Sequence, residues 1–127
     1  MLQIGYGLSG LIAAAIIFLG ARFWLAPGTA AAGFGIAGSP PPSAGFTAWL
    51  SVKGTRDIGS GLFVILLMAN STPRLLGEFL LLASLIAFGD MATVLRSRGS
   101  RALAFGMHGL TGLVIVAAGV CLIVGAK

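Results

Sequence analysis

The stretch richest in chemistry is Lys53-Gly54-Thr55-Arg56-Asp57-Ile58-Gly59-Ser60-Gly61. It places three charges at the head of a run, residues 58–69, that carries no charge at all. That run is too short to cross a bilayer, so a helix using it to span must carry the charges into the membrane. Ionisable groups there cost several kcal/mol unless they face a bundle interior and pair with one another. Asp57 and Asp90 are the acids that fall in such positions, and His108 is the single histidine. Histidine is the side chain that exchanges protons near neutral pH. A carboxylate within hydrogen-bonding reach of it is the elementary arrangement for acid/base chemistry. Asp57, Asp90 and His108 are therefore the candidate catalytic residues, and Arg22, Lys53 and Arg56 are the candidate binding residues that would hold negative charge.

The same residues admit a structural reading. Asp57 would then only help to hold the helices together, Asp90 would cap a helix near Arg96, and His108 would be a hydrogen-bonded packing residue. Arg56 and Asp57 diverge by about 100° on a helix, so they do not face each other. Pairing across helices is expected instead, for example of Asp57 with Arg22 or His108. Arg74 and Glu78 stand one turn apart and suit a structural ion pair. Gly59 and Gly61 suit close helix packing. One histidine and a distant Cys121 do not make a closed metal site, and no metal or other cofactor is expected. No phosphate-binding loop, dinucleotide fingerprint, zinc-protease motif or nucleophile elbow is present. Cys121 is alone, so no internal disulfide forms.

The elements that position these residues are membrane helices. The chain of 127 residues is 57% hydrophobic and 9% charged, with a mean hydropathy of +1.05. A soluble domain is about a quarter charged. The 20 glycines would weaken helices in water, but in a bilayer they let backbones approach closely. The net charge of +5 would suggest nucleic acid in a soluble protein. Here the cations cluster in loops and at helix ends, the ordinary orientation signal, and no nucleic-acid partner is expected.

The expected fold is an all-α integral membrane protein, a single four-transmembrane-helix bundle with helices at about 2–25, 49–70, 73–95 and 102–124. The first could instead be a signal peptide cleaved near Ala30-Ala31-Ala32, but no positive charge precedes Arg22. Residues 26–48 form a long Gly/Ala/Pro-rich loop containing Pro40-Pro41-Pro42, either a lid over a site or a plain connector. Trp24 and Trp49 mark one membrane interface. Gly106, Gly109 and Gly112 form a stripe for a close helix contact. Around residues 26–48 and 96–101 stand Arg22, Lys53, Arg56, Arg96, Arg98 and Arg101, against only Arg74 and Lys127 elsewhere. This places both loops in the cytoplasm and both termini outside the cell membrane. It also puts Arg22, Lys53, Arg56, Asp57, Asp90 and His108 at one depth on four helices, where a bundle interior could join them.

The pattern of Lys53-Gly-Thr-Arg56-Asp57-Ile-Gly59-Ser-Gly61, Arg74 with Gly77, Gly89-Asp90, Gly99 and His108 resembles domain-of-unknown-function family 4267, small four-helix integral membrane proteins. More distantly it is similar to the DoxX-like group. The likeness runs from about Arg22 to Leu113. It implies the four-helix fold and singles out the same charged positions. It implies no established reaction, although DoxX-like proteins include accessory subunits of redox complexes and assembly helpers.

Three function classes follow. The first is a polar pocket that binds a lipophilic small molecule, with acid/base isomerase or cyclase chemistry as its enzymatic form. The second is a non-enzymatic accessory or assembly subunit of a larger membrane complex. The third is a small-solute transporter, which requires a homo-oligomer because one bundle of this size has little room for a path. The lipid bilayer is the partner common to all three.

Overall fold

The computed structural model describes residues 1–38, 41 and 43–127. Pro40 and Pro42, on which the reading of a proline-terminated loop rested in part, lie outside the described residues, as does Ser39. Among the described residues the chain is all-helical, without strands. It forms α1 (Leu2–Leu25), α2 (Pro27–Phe34), α3 (Ala44–Asn70), α4 (Pro73–Arg96) and α5 (Arg101–Gly125).

α1, α4 and α5 are each long and apolar enough to cross a membrane. At about 1.5 Å per residue, a helix of their length exceeds the roughly 30 Å of bilayer hydrocarbon. α3 is the longest, at 27 residues, but carries Lys53, Arg56 and Asp57 in its middle. Among the described residues, three helices thus meet both criteria of a span, and the expected fourth meets only the length. The outside of the molecule is covered with large apolar side chains, among them Leu11, Phe18, Phe63, Leu82, Leu85 and Leu113. So continuous an apolar surface suits lipid rather than water.

The long helices pack as two close pairs, α1 with α3 and α4 with α5, joined where α1 meets α5. Small residues set these contacts. A β-carbon on Gly54 would lie 2.6 Å from the Gly20 carbonyl oxygen, and one on Gly77 would lie 2.7 Å from that of Gly119. Backbones approach this closely only where no side chain intervenes. The core between the pairs holds Ile12, Val64, Leu76, Leu80, Ile115 and Leu122. Although joined by the turn at Ser71 and Thr72, α3 and α4 make few contacts with each other. The bundle is therefore loosest on that side.

Two expectations are corrected here. Residues 26–48 are not one long loop. Pro27 starts α2, in the first-turn position where its missing N–H is harmless, and Gly35 ends it in the left-handed region at φ 96°. Ala30 and Ala31 bury α2 against the bundle. α3 then begins at Ala44 rather than near Trp49, because the Ser43 hydroxyl accepts from the Phe46 N–H at 3.2 Å and caps the helix. α4 ends at Arg96, and α5 extends over Arg101–Gly125, each a residue or two beyond the expected bounds.

The second correction concerns the glycine stripe. Residues Ala104–Gly109 of α5 form a π-helical stretch, which alters the helix register. Gly109 meets Met91 and Gly112 meets Phe88, but a β-carbon on Gly106 would touch nothing. Of the pair on α3, Gly61 packs against Ala13 and Ile17, while Gly59 faces open space.

Candidate functional site

α2 lies across one end of the bundle and is tied down at its C-terminal end. The Ser100 N–H donates to the Gly35 carbonyl at 3.0 Å. A β-carbon on Gly99 would run into that same carbonyl oxygen. The His108 ring nitrogen Nε2 lies 2.9 Å from the Phe34 carbonyl oxygen, and the two rings meet at 4.5 Å with a 55° tilt. A carbonyl oxygen only accepts, so Nε2 is the donor, and in the neutral ring Nδ1 is left as an acceptor.

Beneath α2 is a cavity of about 180 Å³. Each long helix lines it with one face, including residues one turn apart. α1 contributes Ile12, Ile16, Leu19 and Arg22, and α3 contributes Lys53, Asp57, Ser60 and Val64. α4 contributes Leu80, Ala83, Ala87 and Asp90, and α5 contributes His108, Thr111 and Ile115. These spacings are those of one helix face. Charged and ring nitrogen groups gather at the α2 end, and the remainder is apolar apart from the Ser60 and Thr111 hydroxyls.

At the polar end one lysine serves both acids. Lys53 Nζ donates to both carboxylate oxygens of Asp57, at 3.0 and 3.2 Å, and lies 3.7 Å from Asp90 Oδ2 on α4. The same ammonium sits 5.3 Å from the Phe23 ring centre and 5.1 Å from that of Phe34, within range of cation–π attraction. Lys53 is thus enclosed by two carboxylates and two rings. The Arg22 side chain lines the cavity but has no hydrogen-bonding or ionic partner among the described residues.

The structure brings together Arg22, Lys53, Asp57, Asp90 and His108, and separates Arg56 from them. Arg56 is exposed, because the lining stripe 53-57-60-64 leaves position 56 on another face of α3. Asp57 pairs with Lys53 one turn away rather than with Arg22 or His108. Asp90 faces Lys53 rather than Arg96. Arg74 Nε donates to Glu78 Oε1 at 2.9 Å on the exposed surface of α4, apart from the cavity. Trp24 and Trp49 are both exposed, and the Trp24 indole donates to the Thr55 hydroxyl at 3.3 Å. Among the described residues no cluster of three or more His, Cys, Asp or Glu side chains could hold a metal ion.

Sequence reading missed the two phenylalanine rings and the π-helical stretch that contains His108. The spacing 53-57-60-64 would have excluded Arg56. A Pro27 followed by an alanine run and Gly35 would have marked α2. No residue between Ala104 and Gly109 signals the π-helix.

Among proteins of known kind, no curated protein and no solved structure matches the chain. A family model described as a domain of unknown function (DUF4267) matches residues 13–122, which include every charged group lining the cavity. With most of its length matched, the chain belongs to the DUF4267 family.

Proposed function

We propose that this chain is a four-span membrane protein whose bundle holds a lipophilic small molecule by a polar end. The observation that carries the reading is the division of one cavity into a charged head beneath α2 and an apolar body among α1, α3, α4 and α5. Binding sites are mostly apolar concavities with a few placed polar groups, and helix bundles place them between helices. α3 would enter the bilayer with its charges turned inward, where Lys53 is paired with Asp57 and Asp90. The excess of Lys and Arg around residues 26–48 and 96–101 supports placing the α2 end at the cytoplasmic face.

In this reading Asp57 and Asp90 fix Lys53, and Phe34 closes the head of the site. His108, with Nδ1 as acceptor, is able to take a hydrogen bond from a ligand hydroxyl. The scarcity of contacts between α3 and α4 supports entry from the lipid on that side.

The test is native mass spectrometry of the protein released from its own membrane, compared with Ala83→Phe, which fills the apolar body. A retained small molecule at unit stoichiometry in the parent protein, lost in the variant, is the expected result. Retention of other polypeptides with no small molecule would replace this reading with that of an accessory subunit.

A further inference from the structure

We propose that the head of the cavity takes an anionic oxygen group, a carboxylate or phosphate on a single-tailed lipophilic molecule, and that Arg22 is the residue that recognises it. The inference rests on the reading of the cavity as a ligand site and names the class of ligand.

The chain has three acidic residues. Asp57 and Asp90 face Lys53, and Glu78 holds Arg74 at the surface. No acid is left for Arg22, whose side chain lines the cavity without a hydrogen-bonding or ionic partner among the described residues. A half-buried cation facing the inside of a membrane bundle is stabilised by a counter-charge, whereas one on the outer face, such as Arg56, can reach the interface. An anion from outside the chain supplies that counter-charge at Arg22. The guanidinium presents a planar fork of donors that matches carboxylate and phosphate with two parallel hydrogen bonds. Lys53 cannot serve instead, since its ammonium is already bonded to both Asp57 oxygens.

Size limits the rest of the molecule. An engineered cavity of about 150 Å³ holds one benzene ring. The space here, about 180 Å³, accepts one compact apolar body or the first part of one chain, and not the paired acyl chains of a phospholipid. A longer tail would leave between α3 and α4. A phospholipid could still bring its phosphate to Arg22 from outside the cavity, which is the same chemistry at Arg22 from a second source.

The experiment uses the full chain in nanodiscs of phosphatidylcholine, titrated calorimetrically with decanoate and with neutral decanol against empty discs. Decanoate should bind the parent protein, and Arg22→Gln should weaken it by about tenfold or more, the scale of a charge-assisted contact. Arg22→Lys, which keeps the charge but not the planar fork, should recover part of the affinity, which separates lost charge from lost fold. Arg56→Gln, on the exposed face, should change nothing, and decanol binding should not respond to Arg22→Gln. Equal binding of decanoate and decanol, both indifferent to Arg22→Gln, would overturn the anion assignment and leave the cavity as a ligand site. Failure of both to bind would remove the assignment and the site together. Native mass spectrometry covers the second source. A phospholipid lost only in Arg22→Gln, with decanoate unaffected, would overturn the single-tailed ligand and assign Arg22 to the bilayer.

Discussion

Lys53 Nζ stands 3.7 Å from Asp90 Oδ2, and among the described residues this is the one ion pair that joins two different helices. It links α3 to α4 on the side where the two otherwise barely touch. The remaining partners of Lys53, Asp57 and the rings of Phe23 and Phe34, come from α3, α1 and α2. A single ammonium therefore gathers four helices at the head of the cavity.

Lys53→Met should consequently be far more damaging than its nearly conserved volume suggests. It leaves two carboxylates facing each other without a cation. Removing one partner from a fully buried charge pair destabilises by about 3–5 kcal/mol, and these half-buried side chains should lose less, about 1–3 kcal/mol. The Lys53→Met, Asp57→Asn, Asp90→Asn triple variant removes all three charges and should recover most of that loss. Thermal unfolding in detergent of the single and triple variants is the measurement. Equal instability of both would mean that Lys53 acts through packing and not through charge.

His108→Phe keeps a ring against Phe34 and removes the donor to the Phe34 carbonyl. One unsatisfied backbone acceptor is worth about 1–3 kcal/mol. Because the bond ties α2 and not the bundle, the loss should be local. Hydrogen exchange in α2 should accelerate about fivefold or more while exchange in α1 and α5 stays unchanged. Uniform acceleration along the chain would show that α2 and the bundle open as one unit.

The features that could be read in advance are those that depend on one helix at a time. Lengths and apolar runs place α1, α4 and α5 within a residue or two. Asn70-Ser71-Thr72-Pro73 announces the turn between α3 and α4, with Thr72 capping the Leu75 N–H. The depth of the charged residues follows from counting along each helix. The choice of partner does not, since Lys53 takes Asp90 only after packing has fixed how α3 and α4 are rotated. α2 was hidden by composition, because an eight-residue helix of Gly, Ala, Thr and Phe has little intrinsic stability and forms by burying Ala30 and Ala31. The π-helical stretch was hidden too, since no residue type within Ala104–Gly109 distinguishes it from ordinary helix.

The glycines of α3 offer a test of the packing that needs no ligand. Gly61→Ala would set a β-carbon 2.6 Å from Ile17 Cγ1 and 2.8 Å from the Ala13 carbonyl oxygen, whereas Gly59→Ala meets nothing. Overpacking of this kind typically costs about 1–3 kcal/mol. Gly61→Ala should lower the unfolding midpoint in detergent, and Gly59→Ala, two residues away, should hold or raise it. Equal effects would show that helix propensity and not the α1–α3 contact governs this helix.

The charge assignment at the cavity head can be tested in the opposite direction from loss of Arg22. Asp57→Asn keeps an oxygen to accept from Lys53 and removes one negative charge beside the site. The Lys53 ammonium, now balanced only by Asp90, exerts more of its field on a ligand held by Arg22. Unit charges about 10 Å apart in a medium of effective dielectric near 20 interact by roughly 1.7 kcal/mol. Decanoate should therefore bind Asp57→Asn more tightly than the parent protein, by up to about tenfold, while decanol is unmoved. Arg22→Gln combined with Asp57→Asn should fall between the two single variants. If Asp57→Asn instead weakens decanoate and decanol together, the carboxylate is shaping the cavity rather than opposing the ligand's charge, and Lys53 has lost its position.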